Sequence, residues 1–213
     1  MPGRRAMLLE PDLASTRIVD VCFLLDGATI ADDYAAALAA GILVALPWLA
    51  DEPQAGILPL GGLARGDGIR YVGRRSRRTL RVPSARVADA RALVGTRVDL
   101  DGPVQIGECS ERPLGPSKVV HCAFVDMGTH DELGFLQACR ESLDARDMAG
   151  ELVCGRARSH ADAGGHVRGH SLMIYGLTPV QTVALQERGL GGSRLLGCGH
   201  FIPHKNVAAV GGE

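Results

Sequence analysis

Residues 189–205 read GLGGSRLLGCGHFIPHK. Five of the first eleven are glycine, Arg194 stands among them, and Lys205 closes the stretch. Backbone without Cβ atoms can approach phosphate oxygens closely, and a cation beside it neutralises their charge. Gly191, Gly192, Gly197, Gly199, Arg194 and Lys205 are therefore candidate phosphate contacts. His200 and His204 share one face of a strand by period two. Either could stand near a phosphate, and imidazole, which titrates near neutrality, is suited to proton transfer.

A second group of residues is cationic. The run RYVGRRSRRTLR (70–81) holds six arginines and no acid. It reads either as a solvated, self-repelling hairpin or as an RNA-backbone contact through Arg74, Arg75, Arg77 and Arg78. Arg156, Arg158 and Arg168 form a similar set further on. Between them, HADAGGHVRGH (160–170) carries three histidines, open to reading as a metal site, a solvated turn or an RNA contact. No cysteine or carboxylate spacing completes a metal site, so neither metal nor cofactor is expected.

These residues need elements to position them. TRIVDVCFLL (16–25) is an apolar strand and ADDYAAALAAGILVAL (31–46) a helix, with Asp32 and Asp33 in its first turn. AGILPLGG (55–62) is a short strand and 68–83 a hairpin. ARVADARALVG (85–95) is a helix ending in glycine, and 96–108 is strand, turn, strand. The order β-α-β-β-α-β is that of ferredoxin-like domains. It recurs with strand 117–127, helix 131–146, strands 150–158 and 165–177, a helix at 178–189 capped by Thr178 and Pro179, and strand 199–205. The expected fold class is thus α+β, with tandem ferredoxin-like βαββαβ domains over 14–112 and 117–208. The glycine-rich loop, 189–199, follows a helix and precedes a strand. Dinucleotide and P-loop motifs run strand, loop, helix, so the loop suits the phosphates of a polymer and no small-molecule substrate is expected.

Composition is compatible with this. The chain has 213 residues, 46% of them apolar, and a formal net charge of −1. Of its 23 basic side chains only Lys118 and Lys205 are lysine; codon usage explains such a bias as well as function does, but arginine alone binds phosphate bidentately. The six cysteines show no paired spacing and read as buried thiols in a reducing cytoplasm. The longest apolar run is interrupted by Pro47, so no membrane association is expected. Aromatic residues make up 4%, too few for recognition of single strands by base stacking on sheet aromatics.

The stretch GLTPVQTVALQERGLGGSRLLGCGHFIPHK resembles the C-terminal signature of CRISPR-associated repeat-processing endoribonucleases of the RAMP superfamily. LPWLADEPQAGILPLGG, GRRSRRTLRVP and ARALVG resemble a small type I subgroup. The resemblance covers about residues 16–208. It implies binding of the CRISPR repeat RNA hairpin, metal-independent cleavage to a 2′,3′-cyclic phosphate, and retention as a subunit of a type I effector complex, Cascade. The sequence departs from that pattern at one point. The first helix of the subgroup opens with a histidine, where this chain reads IADDYAAAL; positions 50 and 58, where further histidines are expected, hold Ala50 and Leu58. Asp33 is a conceivable base, although a carboxylate repels phosphate, and Tyr34 is a proton donor or positioning group with an ordinary pKa near 10. Tyr34 and His200 are the catalytic candidates. The alternative function is a repeat-hairpin binding subunit with little or no cleavage; a structural subunit lining the guide is a third reading, which the GCG-x-F-x-PHK ending disfavours.

Overall fold

The computed structural model describes residues 17–60, 64–66, 68–73, 76–129, 131–162 and 165–205. The first half begins with β1 (Ile18–Asp26), β2 (Thr29–Ala31), α1 (Ala35–Ala45), β3 (Gly56–Ile57), β4 (Ala64–Gly66), β5 (Ile69–Tyr71) and β6 (Arg77–Pro83). It continues with α2 (Val87–Ala90), β7 (Arg97–Asp99) and β8 (Pro103–Pro113). The second half comprises β9 (Val119–Val125), α3 (Glu132–Asp144), β10 (Glu151–Asp162), β11 (Gly165–Tyr175), α4 (Pro179–Arg188) and β12 (Ile202–Pro203).

Two antiparallel sheets have the same topology. The first runs β3-β6-β1-β8 with β7 added at its edge, and the second runs β10-β11-β9-β12. Numbered within each unit, both orders are 2-3-1-4, the arrangement of a ferredoxin-like sheet. The chain is a tandem ferredoxin-like protein. Alternation along β1 sends Val19, Val21, Phe23 and Leu25 into the first core, where α1 adds Leu38, Ala39 and Ile42. Val120, Cys122, Leu172 and Ile174 face the second core, closed by Phe135, Cys139 and Leu143 of α3 and Leu185 of α4. The two helices of that unit start where their caps dictate. Asp131 accepts from Gly134 N at 2.8 Å, and Thr178 and Gln181 form a reciprocal capping box.

Several elements differ from the sequence reading. Residues 68–83 do not form a hairpin. β5 joins β2 and β4 in a separate three-stranded sheet, while β6 lies between β3 and β1. Helix α1 starts at Ala35, so Asp32 and Asp33 precede it and no acid occupies its first turn. The helix expected at 85–95 is one α-turn between two short 3-10 turns, ended by extended Val94 and by Gly95 at φ 84°. The last strand is only Ile202–Pro203, because residues 194–201 remain in the glycine-rich clasp described next.

Candidate nucleic-acid interface

The glycine-rich loop is packed against protein. Gly192 N donates to Asp126 O (2.9 Å), Gly197 N to Arg194 O (3.2 Å) and Gly199 N to Phe124 O (2.8 Å). These three amides are therefore not a cradle for phosphate. The glycines are required because the chain turns through positive φ at 189, 191, 197 and 199, and because a Cβ at Gly191 would collide with Asp126 O. Gly191 and Gly192 are exposed, whereas Gly197 and Gly199 are buried. Leu195 and Leu196 pack against the first core, and Ser193 Oγ donates to Asp126 Oδ2 at 2.7 Å. The loop joins the two units.

Arg194 belongs to this clasp rather than to a ligand site. Its guanidinium donates to Arg188 O (2.8 Å), Ala55 O (3.2 Å), Gln54 O (3.3 Å) and Glu187 O (3.4 Å). Burial, reinforced by the charge of Arg81, lowers its pKa to about 10. His200 is also interior, with 2% of its surface exposed. Its Nε2 lies 2.9 Å from Arg194 O, its ring fills the space a Cβ at Gly56 would need, and its Nδ1 has no partner. Burial and the charges of Arg194, Arg81 and Arg78 drive its pKa well below 6.5. A neutral, sealed imidazole cannot reach a phosphodiester, so His200 is a seam residue.

Tyr34, the other catalytic candidate, is buried too. Its hydroxyl accepts from Leu60 N at 2.8 Å, and Arg70 covers its ring at 5.0 Å from the centroid. It positions the segment after β3.

The arginines of 70–81 divide by location. Arg74 and Arg75 lie outside the described residues. Arg78 is fully buried and donates from both terminal nitrogens to Leu58 O, one at 2.6 Å; burial brings its pKa down to about 10. It is a core residue and not a surface contact, because β6 is covered on both sides. Arg77 is half-buried and donates to Ser76 O at 2.9 Å. Arg81, also fully buried, spans the seam. It holds Asp20 through two nitrogens (2.7 and 3.0 Å) and donates to Gln186 O (2.8 Å) and Phe201 O (2.9 Å). Sequence reasoning missed this role. Asp20 offered the signal, as an acid in an otherwise apolar strand requires a cation opposite.

The second hairpin differs. Arg156 and Arg158 are exposed on β10 and, with Ser159, line one side of an open cleft of about 410 Å³. Asp32, Asp33 and Arg70 form the other side. Arg70 is fixed there by Asp32, its Nε 2.6 Å from Oδ1. The segment just before the first helix thus faces the arginines of the second unit. Arg168 lies elsewhere, beside His166, Asp126 and Thr129 around a separate opening of about 420 Å³. Lys205 is exposed after β12. His170 is buried against Phe135, with ring centroids 4.9 Å apart. The side chain of His160 is outside the described residues, and among those described no three His, Cys, Asp or Glu side chains gather as metal ligands. All six cysteines are free thiols. No helix among the described residues is long and apolar enough to cross a membrane.

Two 2-3-1-4 sheets place the chain among tandem ferredoxin-like proteins, and a cleft lined by three arginines and two aspartates lies where the two units meet. Comparison with known proteins makes the assignment specific. A family model described as "Cas6 Crispr" matches residues 19–206. A relative from Myxococcus xanthus (strain DK1622), named CRISPR-associated endonuclease Cas6, is 30% identical over 194 residues, covering 90% of this chain and 84% of the relative. The chain belongs to the Cas6 family. Solved structures share its fold at lower identity. One titled "An RAMP protein binding different RNA substrates" has a TM-score of 0.64 at 13% identity, covering 86% of this chain and 98% of that one. A Cas6-related protein from Pyrococcus furiosus has a TM-score of 0.63 at 14% identity, covering 88% and 98%.

Proposed function

We propose that this chain binds the repeat of precursor CRISPR RNA across the cleft between its units and cuts it without a metal ion. The products are a 2′,3′-cyclic phosphate on the upstream fragment and a 5′-hydroxyl on the other, and the processed guide stays bound as the chain takes its place in a type I effector complex. One observation carries this reading: Arg156 and Arg158 of the second unit meet Arg70 of the first across a groove open enough for a phosphate backbone. The guanidinium groups of Arg156 and Arg158 on one wall neutralise phosphates, and binding releases the counterions condensed on them; on the other wall Arg70 is paired with Asp32. The Myxococcus relative's name, endonuclease, and the RNA-binding RAMP protein of like fold support the substrate class.

A second reading, a repeat-binding subunit with little cleavage, is favoured by the chemistry before the first helix. Asp32, Asp33 and Tyr34 stand there, and the tyrosine hydroxyl is engaged by Leu60 N. Incubation with cognate repeat RNA in EDTA, resolved on a gel with and without phosphatase treatment of the cyclic end, separates the two. Cleavage in EDTA with a phosphatase-resistant upstream end is the expected result. Tight binding of RNA that stays intact supports the binding subunit.

A further inference from the structure

The cleft contains arginines and carboxylates but no described imidazole, and the two residues that sequence reasoning offered for catalysis are buried. A different pair of side chains has the required chemistry. His121 lies on β9 opposite Ile202 of β12 and Met173 of β11. Its neighbours Val120 and Cys122 point into the second core, so His121 projects from the other face of the sheet, away from α3 and α4. His204 is two residues beyond Ile202 and projects from that same face. The two imidazoles are in contact, with centroids 5.5 Å apart and planes tilted by 54°. Both are half-exposed, and Ile202 beside them is 44% exposed. Partial burial and the charges of His204 and Arg158 lower the pKa of His121, which favours its neutral form. Arg158 is also a wall residue of the cleft, and its charge acts on His121.

We propose that His121 and His204 are the proton-transfer pair for RNA cleavage, with Arg158 holding the scissile phosphate beside them. The inference rests on the reading that the chain cuts RNA. The 2′-oxygen bonds to phosphorus as its proton passes to His121. The bond from phosphorus to the 5′-oxygen breaks, and that oxygen takes a proton from the imidazolium of His204. The products are the cyclic phosphate and a 5′-hydroxyl. Transfer of the proton from His121 back to the adjoining His204 restores both groups, so no co-reactant is needed. The other described histidines do not offer this pairing: His170 and His200 are buried, and His166 lies at the opening shared with Arg168.

The test is single-turnover cleavage of cognate repeat RNA in EDTA by the wild type and by His121→Ala, His121→Gln, His204→Ala and His204→Gln, with RNA affinity measured for each. Each substitution is expected to slow cleavage by about 10²–10⁴-fold, the usual contribution of a general acid or base, while affinity is unchanged. Added imidazole is expected to recover part of the rate of His121→Ala, a rescue that repair of a merely structural defect does not provide. Cleavage at the wild-type rate by the variants overturns the proposal while leaving the RNA-cutting reading intact. Joint loss of binding and cleavage in the alanine and glutamine variants, unrelieved by imidazole, makes the pair structural and also overturns it. Wild-type protein that binds the repeat and leaves it uncut overturns the cleavage reading and, with it, this role for the pair.

Discussion

Strands β6 and β10 have similar sequences and opposite fates. Both carry arginines at close spacing, RRTLRVP in one and GRARS in the other. β6 lies inside its sheet between β3 and β1, and β10 is the edge of its sheet. Arg78 and Arg81 are accordingly buried, with carbonyl oxygens and Asp20 replacing water, while Arg156 and Arg158 face an open cleft. Sheet position, not residue type, decides whether a guanidinium is buried within the protein or lines an open cleft. A buried cation persists only where geometry and hydrogen bonding replace its hydration, and Arg81 meets that condition by uniting three chain segments.

The largest effect that would sharpen this contrast is on stability. Arg81→Ala leaves Asp20 without its cation and two carbonyls of the second unit without a donor. It is expected to cost about 3–5 kcal/mol, the range for breaking a buried ion pair, read as a lower urea midpoint. A midpoint equal to the wild type's would show that the seam does not depend on this residue. Gly56→Ala comes next. Its Cβ would fall within the His200 ring, and overpacking of that kind costs about 1–3 kcal/mol; thermal unfolding measures it, and an unchanged melting temperature would mean the ring has room to move.

The smallest effect is on pH dependence. His200 has a folded pKa well below 6.5, the value it takes when exposed on unfolding. The unfolded chain therefore binds the proton first. Stability from this residue is fully present above about pH 6.5 and is lost as the pH falls through that value toward the folded pKa. His121, shifted in the same direction, adds a contribution of the same sign. Melting temperature is expected to fall on mild acidification, and less steeply in His200→Gln. A melting temperature that rises on acidification contradicts the assignment.

Much of the architecture is legible in local sequence. The alternation of β1 and β9, the caps of α3 and α4, and the repeated βαββαβ order are written in contiguous residues, and so are the exposed arginines of β10. The rest depends on pairings distant along the chain. Residues 68–83 read as a hairpin because two short strands flank a cationic turn, yet β5 finds its partners in β2 and β4. The glycine loop is legible as a loop but not in its purpose. Its glycines accommodate Asp126 and Leu190 of the same chain, which no local pattern discloses. The His121–His204 contact joins the first and last strands of the second unit and is visible only once the sheet order is known.

The central claim, that the cleft between the units and not the arginines of the interior receives the RNA, is tested most directly by the salt dependence of repeat-RNA affinity. Kd is measured across a salt series for the wild type and for Arg156→Ala/Arg158→Ala. Each lost phosphate contact is expected to reduce the slope of log K against log salt by about 0.7–0.9, with weaker binding at every salt concentration and an unchanged melting temperature. The same affinity and the same slope in the double variant would contradict the account.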